Sequence, residues 1–109
     1  MNSTNTLCAE VIRHLGGEAR LKEIGARVAG NDAAQVSLRL IHPNPRGVRS
    51  IVISLRSNGL YAVDCFGPMR MEAFRAERIG HAEHVSPYTL ANVVGALTGL
   101  ECLQNATAY

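Results

Sequence analysis

Tryptophan is absent from this 109-residue chain, and other aromatics are few, with two Phe and three Tyr. That scarcity weighs against the stacking surfaces on which single-stranded nucleic-acid binders hold successive bases. Cysteines are three, Cys8, Cys65 and Cys102. An odd number without a close pair argues against a disulfide framework and for reduced thiols in a cytosol. No apolar run approaches the ~18 residues of a membrane-spanning helix. The stretch from Met1 to Thr6 lacks the basic n-region of a secretory signal. The expectation is a cytoplasmic protein, in a bacterial host cell, that makes no membrane contact.

Catalytic signatures are missing as well. No serine sits in G-x-S-x-G, no carboxylate pair is spaced for acid–base work, and no G-x-x-x-x-G-K-[ST] follows Gly16-Gly17. There is no C-x-x-C. His81 and His84 form H-x-x-H, a spacing that holds zinc when it lies on a helix. Two further ligands would be needed, and the stretch reads as an exposed loop. Cys65 stands beside Asp64 with no histidine assured nearby, so it reads as a buried packing thiol. Cys8 and Cys102 also read as packing residues. The chain is expected not to be an enzyme and to carry no metal and no cofactor.

What is present fits one globular domain. Apolar residues make up 47% and charged residues only 18%, which argues against disorder. A chain of this length buries roughly two-thirds of the surface it exposes when unfolded, enough for one modest core. The net charge of +2 names no partner, but its distribution is uneven. Between Gln35 and Ile79 lie seven arginines (39, 46, 49, 56, 70, 75 and 78) against three acids. Ten of the eleven basic residues are Arg, the side chain suited to bidentate recognition of phosphate or carboxylate.

The periodicity predicts a helix over 6–15, where Leu7, Val11, Ile12 and Leu15 form one stripe, with Asn5 or Thr6 as N-cap. A short second helix spans 18–24 and ends at Gly25. A strand at 27–30 precedes turn residues Gly30-Asn31-Asp32. Alternation over 35–41 points Val36, Leu38 and Leu40 to one side. The proline-bearing segment His42–Gly47 is a loop, since prolines lack ladder donors. A strand at 50–56 directs Ile51, Ile53 and Leu55 inward. Asn58-Gly59 predicts a tight hairpin with positive φ at both residues. The following strand, 60–66, sets Tyr61, Val63 and Cys65 on one face, and Gly67-Pro68 ends it. Residues 69–79 fit helix and strand comparably by pattern; short turns favour strand. Ser86 as N-cap and Pro87 at the first helical position predict a final helix that closes at Gly99.

This order predicts an α+β domain: a four- or five-stranded antiparallel meander with N-terminal and C-terminal helices packed on one face. The other face is wet and carries Arg39 and Arg56, while Arg46 and Arg49 flank the proline loop. These four arginines are the candidate binding residues.

The landmarks also resemble a widespread group of small phage, prophage and mobile-element proteins without an assigned activity. The resemblance rests on Val11-Ile12-Arg13-His14-Leu15-Gly16-Gly17, Leu21-Lys22, Ile24-Gly25-Ala26-Arg27, Val36-Ser37-Leu38-Arg39, Ile51–Leu55, Gly59–Val63 and Leu97-Thr98-Gly99-Leu100. It covers roughly residues 11 to 100 and lends no catalytic residues. It implies a mobile-element protein and favours strand at 69–79. The His42–Gly47 loop and Cys65, where an aromatic is usual, depart from the group. The expected function is that of a non-enzymatic accessory protein that binds another protein, inhibition of a host defence complex included. Nucleic-acid binding through an arginine-rich sheet face is the alternative, and edge strands leave room for a homodimer.

Overall fold

A computed structural model describes residues 3–32, 34–70, 75–100 and 103. Helices α1 (Ser3–His14) and α2 (Glu18–Ile24) precede strands β1 (Ala26–Asn31), β2 (Gln35–Leu40), β3 (Ser50–Leu55), β4 (Tyr61–Arg70) and β5 (Arg75–Val85), and α3 (Leu90–Thr98) follows them. The five strands form one antiparallel sheet in the order β1-β2-β3-β4-β5. This is the predicted α+β meander, with five strands.

Strict alternation makes the sheet two-faced. Val36, Leu38, Leu40, Ile51, Ile53, Tyr61, Val63, Cys65 and Val85 bury on one side. They join Leu7, Val11, Leu15, Leu21, Ile24, Leu90, Val94 and Leu103 of the helical layer in a single apolar cluster. All three helices therefore cover the same face. Residues of opposite parity form the other face, among them Ser37, Arg39, Val52, Asp64, Phe66 and Arg78.

Gly25 ends α2 in the left-handed conformation, at φ 72°, and its N–H closes on the α2 carbonyls. A side chain there would also collide with the His42 ring, 2.5 Å from the Cβ it would add. The proline loop is held by Asn44, whose Nδ2 donates to the Val48 carbonyl at 2.6 Å and whose Oδ1 accepts the Val48 N–H at 2.9 Å. Its Pro45 packs against Gly99, and the Arg46 N–H donates to the Thr98 carbonyl at 3.3 Å. The loop thereby caps α3 and fixes the start of β3.

Several expectations change. The first helix begins at Ser3, before the expected Asn5 or Thr6 cap. The strand expected at 27–30 gains Ala26 and Asn31, so Asn31 pairs with Val36 and the turn falls after it. The Asn58-Gly59 turn has positive φ at Gly59 and not at Asn58. Gly59 N–H donates to the Arg56 carbonyl at 3.0 Å and Arg56 N–H to the Leu60 carbonyl at 2.8 Å. This is a three-residue loop closed by a glycine bulge. Gly67-Pro68 does not end its strand: β4 runs on to Arg70, and the ladder skips between Phe66 and Met69, where no proline N–H is required. Within the ambiguous 69–79 segment, residues 71–74 lie outside the described residues, and 75–79 are strand. The His81–His84 stretch is strand, with φ 58° at His84. Finally, α3 starts at Leu90 with Thr89 before it. Ser86 instead anchors a turn, its carbonyl accepting the Thr89 N–H at 3.1 Å and its hydroxyl bonded to Thr89 Oγ1 at 3.1 Å.

Candidate binding face

The face away from the helices divides into two halves of different charge. Toward the β2 N-terminus and the β4–β5 side, charges pair. His81 lies opposite Asp64 in the ladder, with Nδ1 2.6 Å from Asp64 Oδ1 and Nε2 3.1 Å from Glu83 Oε2. The Nδ1–Asp64 contact is a hydrogen bond, while the Nε2–Glu83 contact is a close charge contact. Arg78 reaches Asp64 at 3.3 Å, and Arg56 reaches Glu83 at 3.3 Å. A chain Arg56–Glu83–His81–Asp64–Arg78 thus links the β3–β4 hairpin with β4 and β5, its charges opposed.

The other half holds arginines without such partners. Arg27 stands directly opposite Arg39 in the β1–β2 ladder. Like charges so placed are destabilising. Arg27 and Arg39 line one shallow depression with Val28, Ala29 and Ile41. Arg39 and Ile41 also line an adjoining one with Leu40, Arg49 and Pro68. Three arginines therefore line two adjoining depressions that share Arg39 and Ile41. None of the three has a carboxylate within 4.0 Å among the described residues, whereas Arg13, Arg20, Arg56 and Arg78 each do. Apolar surface adjoins them, as Ile41, of the same parity as Arg39, is 53% exposed. The strand registers extend this end of the face into a transverse row: Arg27, Arg39, Ser50, Phe66, Arg78.

The four arginines singled out from the sequence separate accordingly. Arg39 and Arg49 line one depression. Arg56 lies on the same face but six residues along the strand from Ser50, roughly 20 Å at the strand rise, and is engaged by Glu83. Arg46 sits in the loop that caps α3. Arg27 was not anticipated, because its pairing with Arg39 depends on a register that composition does not disclose.

The remaining candidates fall elsewhere. Cys65 is fully buried on the helix-covered face, on the opposite side of β4 from Asp64 and His81. Burial, and secondarily the neighbouring Asp64 charge, pushes its thiol up to about 11. It remains a protonated thiol at neutral pH and is unsuited to nucleophilic attack. Cys8 is half-buried on α1, its pKa also raised by burial; Cys102 lies outside the described residues. Among the described residues, no three His, Cys, Asp or Glu side chains are arranged to hold a metal ion. No helix of the described residues is long and apolar enough to cross a membrane. Comparison of the chain with protein-family profiles, curated proteins and solved structures returns no match.

Proposed function

We propose that the protein is a non-enzymatic accessory protein of phage or mobile-element origin, and that it works by binding an acidic surface of another protein on the open face of its sheet. One observation carries this reading. Arg27 faces Arg39 across the ladder, and with Arg49 they line two adjoining depressions that share the exposed Ile41, without carboxylate partners among the described residues. Arginines set among apolar side chains are the composition of protein interfaces, where charge steers and apolar contact holds. The uncompensated Arg27–Arg39 pair costs the isolated domain stability, and an anionic partner offsets that cost.

The rest of the face argues against a nucleic-acid track. A phosphate backbone laid across the sheet would meet Asp64, two residues along β4 from Phe66 in the arginine row. Phe66, in line with Arg39 and Arg78, is the feature that favours the nucleic-acid alternative, and it supplies a single ring. Inhibition of a host defence complex is one task this mode of action serves, by occupying an acidic surface that the complex itself needs. The place of action under this reading is the cytoplasm.

The test is affinity capture from nuclease-treated host lysate, comparing wild type with a variant carrying Arg27→Glu, Arg39→Glu and Arg49→Glu. A saturable protein partner retained by wild type and lost by the variant is expected. Capture that vanishes with nuclease treatment, together with steeply salt-dependent binding of random oligonucleotides, would replace this reading with the nucleic-acid one.

A further inference from the structure

The open edge of β1 adjoins the arginine groove, and its backbone polarity can be assigned. Ile41 N–H donates to the Gly25 carbonyl at 2.7 Å, so Gly25 and Ile41 form a hydrogen-bonded position of the β1–β2 ladder. The register continues Ala26↔Leu40, Arg27↔Arg39, Val28↔Leu38. Hydrogen-bonded and non-bonded positions alternate in antiparallel pairs. Arg27 therefore directs its N–H and C=O toward β2, while Ala26 and Val28 direct theirs outward, away from the sheet. β1 is the terminal strand, and its residues from Arg27 to Asn31 are exposed.

We infer that β1 accepts a short extended segment of the acidic partner as a sixth strand, with an Asp or Glu of that segment opposite Arg27. The inference rests on the protein-binding reading above and specifies its mode. A strand that bonds to Ala26 and Val28 places the residue between those bonds at a non-bonded position facing Arg27, where side chains approach most closely. That residue lies on the open face, within reach of the Arg27–Arg39 pair. Its neighbours in the added strand point the other way, beside Val28, which is 37% exposed at the sheet margin. The segment thus reads apolar–acidic–apolar. The bulge between Val28 and Gly30 twists the edge beyond that point and keeps the added strand short.

Charge selects this occupant over a second copy of the chain. Two β1 edges paired about a twofold axis at Arg27 would set Arg27 against its own symmetry mate, beside two copies of Arg39. The β5 edge is a poorer template, since its ladder to β4 shifts register three times along its length.

The probe is an acetylated, amidated hexapeptide of alternating Val and Glu, titrated by fluorescence anisotropy against the full chain. Saturable binding is expected, at least about tenfold weaker for the Val–Gln peptide and absent for Val–Lys. Two changes then isolate the edge. Val28→Pro removes an outward N–H that the sheet itself does not use, a position where proline is tolerated, and N-methylation of the peptide valines removes the reciprocal donors. Each should weaken binding by about tenfold. Unchanged affinity of the N-methylated peptide overturns the inference even if Val28→Pro fails to fold. No binding of the Val–Glu peptide at millimolar concentration overturns it too. In either case, loss of lysate capture with the Arg27, Arg39 and Arg49 reversals would leave the protein-binding reading standing. Capture unaffected by those reversals would remove that reading independently.

Discussion

Replacing Arg39 by glutamate should make the isolated domain more stable while destroying its binding. In the native ladder Arg39 faces Arg27 directly and shares a groove with Arg49, and none of the three has a carboxylate partner among the described residues. Cross-strand like charges destabilise, and opposite charges stabilise, by roughly 0.2–1 kcal/mol each. Both side chains are solvated, so the lower part of each range applies, and the swing from repulsion to attraction is about 0.5–1 kcal/mol. For a domain of this size that corresponds to a rise in Tm of about 2–4 °C. The assay is thermal and urea unfolding of wild type and Arg39→Glu in low salt and again in about 1 M salt, where the Debye length falls to ~3 Å and the gain should largely vanish. Arg56→Glu is the control of opposite sign, since it breaks a contact with Glu83 and creates like charges. A salt-independent change, or destabilisation by Arg39→Glu, would refute the view that the Arg27–Arg39 pair is an uncompensated repulsion kept for a partner.

Three further outcomes follow from the packing and the buried thiol. Because Cys65 ionises only near pH 11 when folded, against an ordinary value of 9.0, the folded state holds a proton that the unfolded chain releases between those values. Stability is then full below pH 9 and falls as pH rises toward 11, by roughly 2–3 kcal/mol; urea midpoints across that range should show a decline that Cys65→Val flattens. Gly25→Ala combines a strained positive φ with a clash against His42 and should cost about 2 kcal/mol or more, and the double variant with His42→Ala should recover the part due to the clash, as read in a double-mutant cycle. Leu38→Ala, at a position 1% exposed in the centre of the sheet, should cost 2–5 kcal/mol without altering the arginine groove, so that any residual folded protein still binds the Val–Glu peptide.

Much of the fold was legible in the sequence because period-2 alternation and glycine turns act locally. Val36–Leu40 and Ile51–Ile53 could bury only one way, though Leu55, expected inward at the strand end, is 38% exposed, and the helical stripe from Leu7 to Leu15 could cover only an apolar face. The misreadings came where a local rule met a tertiary exception. Pro68 lacks a donor, yet it sits where the β4–β5 ladder skips, so the strand continues. Ser86-Pro87 has the form of a helix start, but Ser86 bonds Thr89 and the helix waits until Leu90. His81 reads as a loop residue in a polar stretch and becomes a strand residue through its contacts with Asp64 and Glu83.

The binding groove was half legible. Arg39 and Arg49 could be marked as basic residues near a loop, but convergence is a matter of register. Arg27 enters the site only through a ladder containing a bulge between Val28 and Gly30, which shifts the pairing away from what counting back from the turn gives. Arg56 and Arg39 share a face by parity, and parity alone does not reveal that one is neutralised by Glu83 while the other has no such partner.

The most direct test of the central claim is photocrosslinking in the host cell from Ile41, which lines both parts of the groove, set against Glu23 on the exposed side of α2. A protein adduct from position 41 that disappears on Arg39→Glu, with none from position 23, is the predicted result. A nucleic-acid adduct at position 41, or equal protein adducts from both positions, would contradict it.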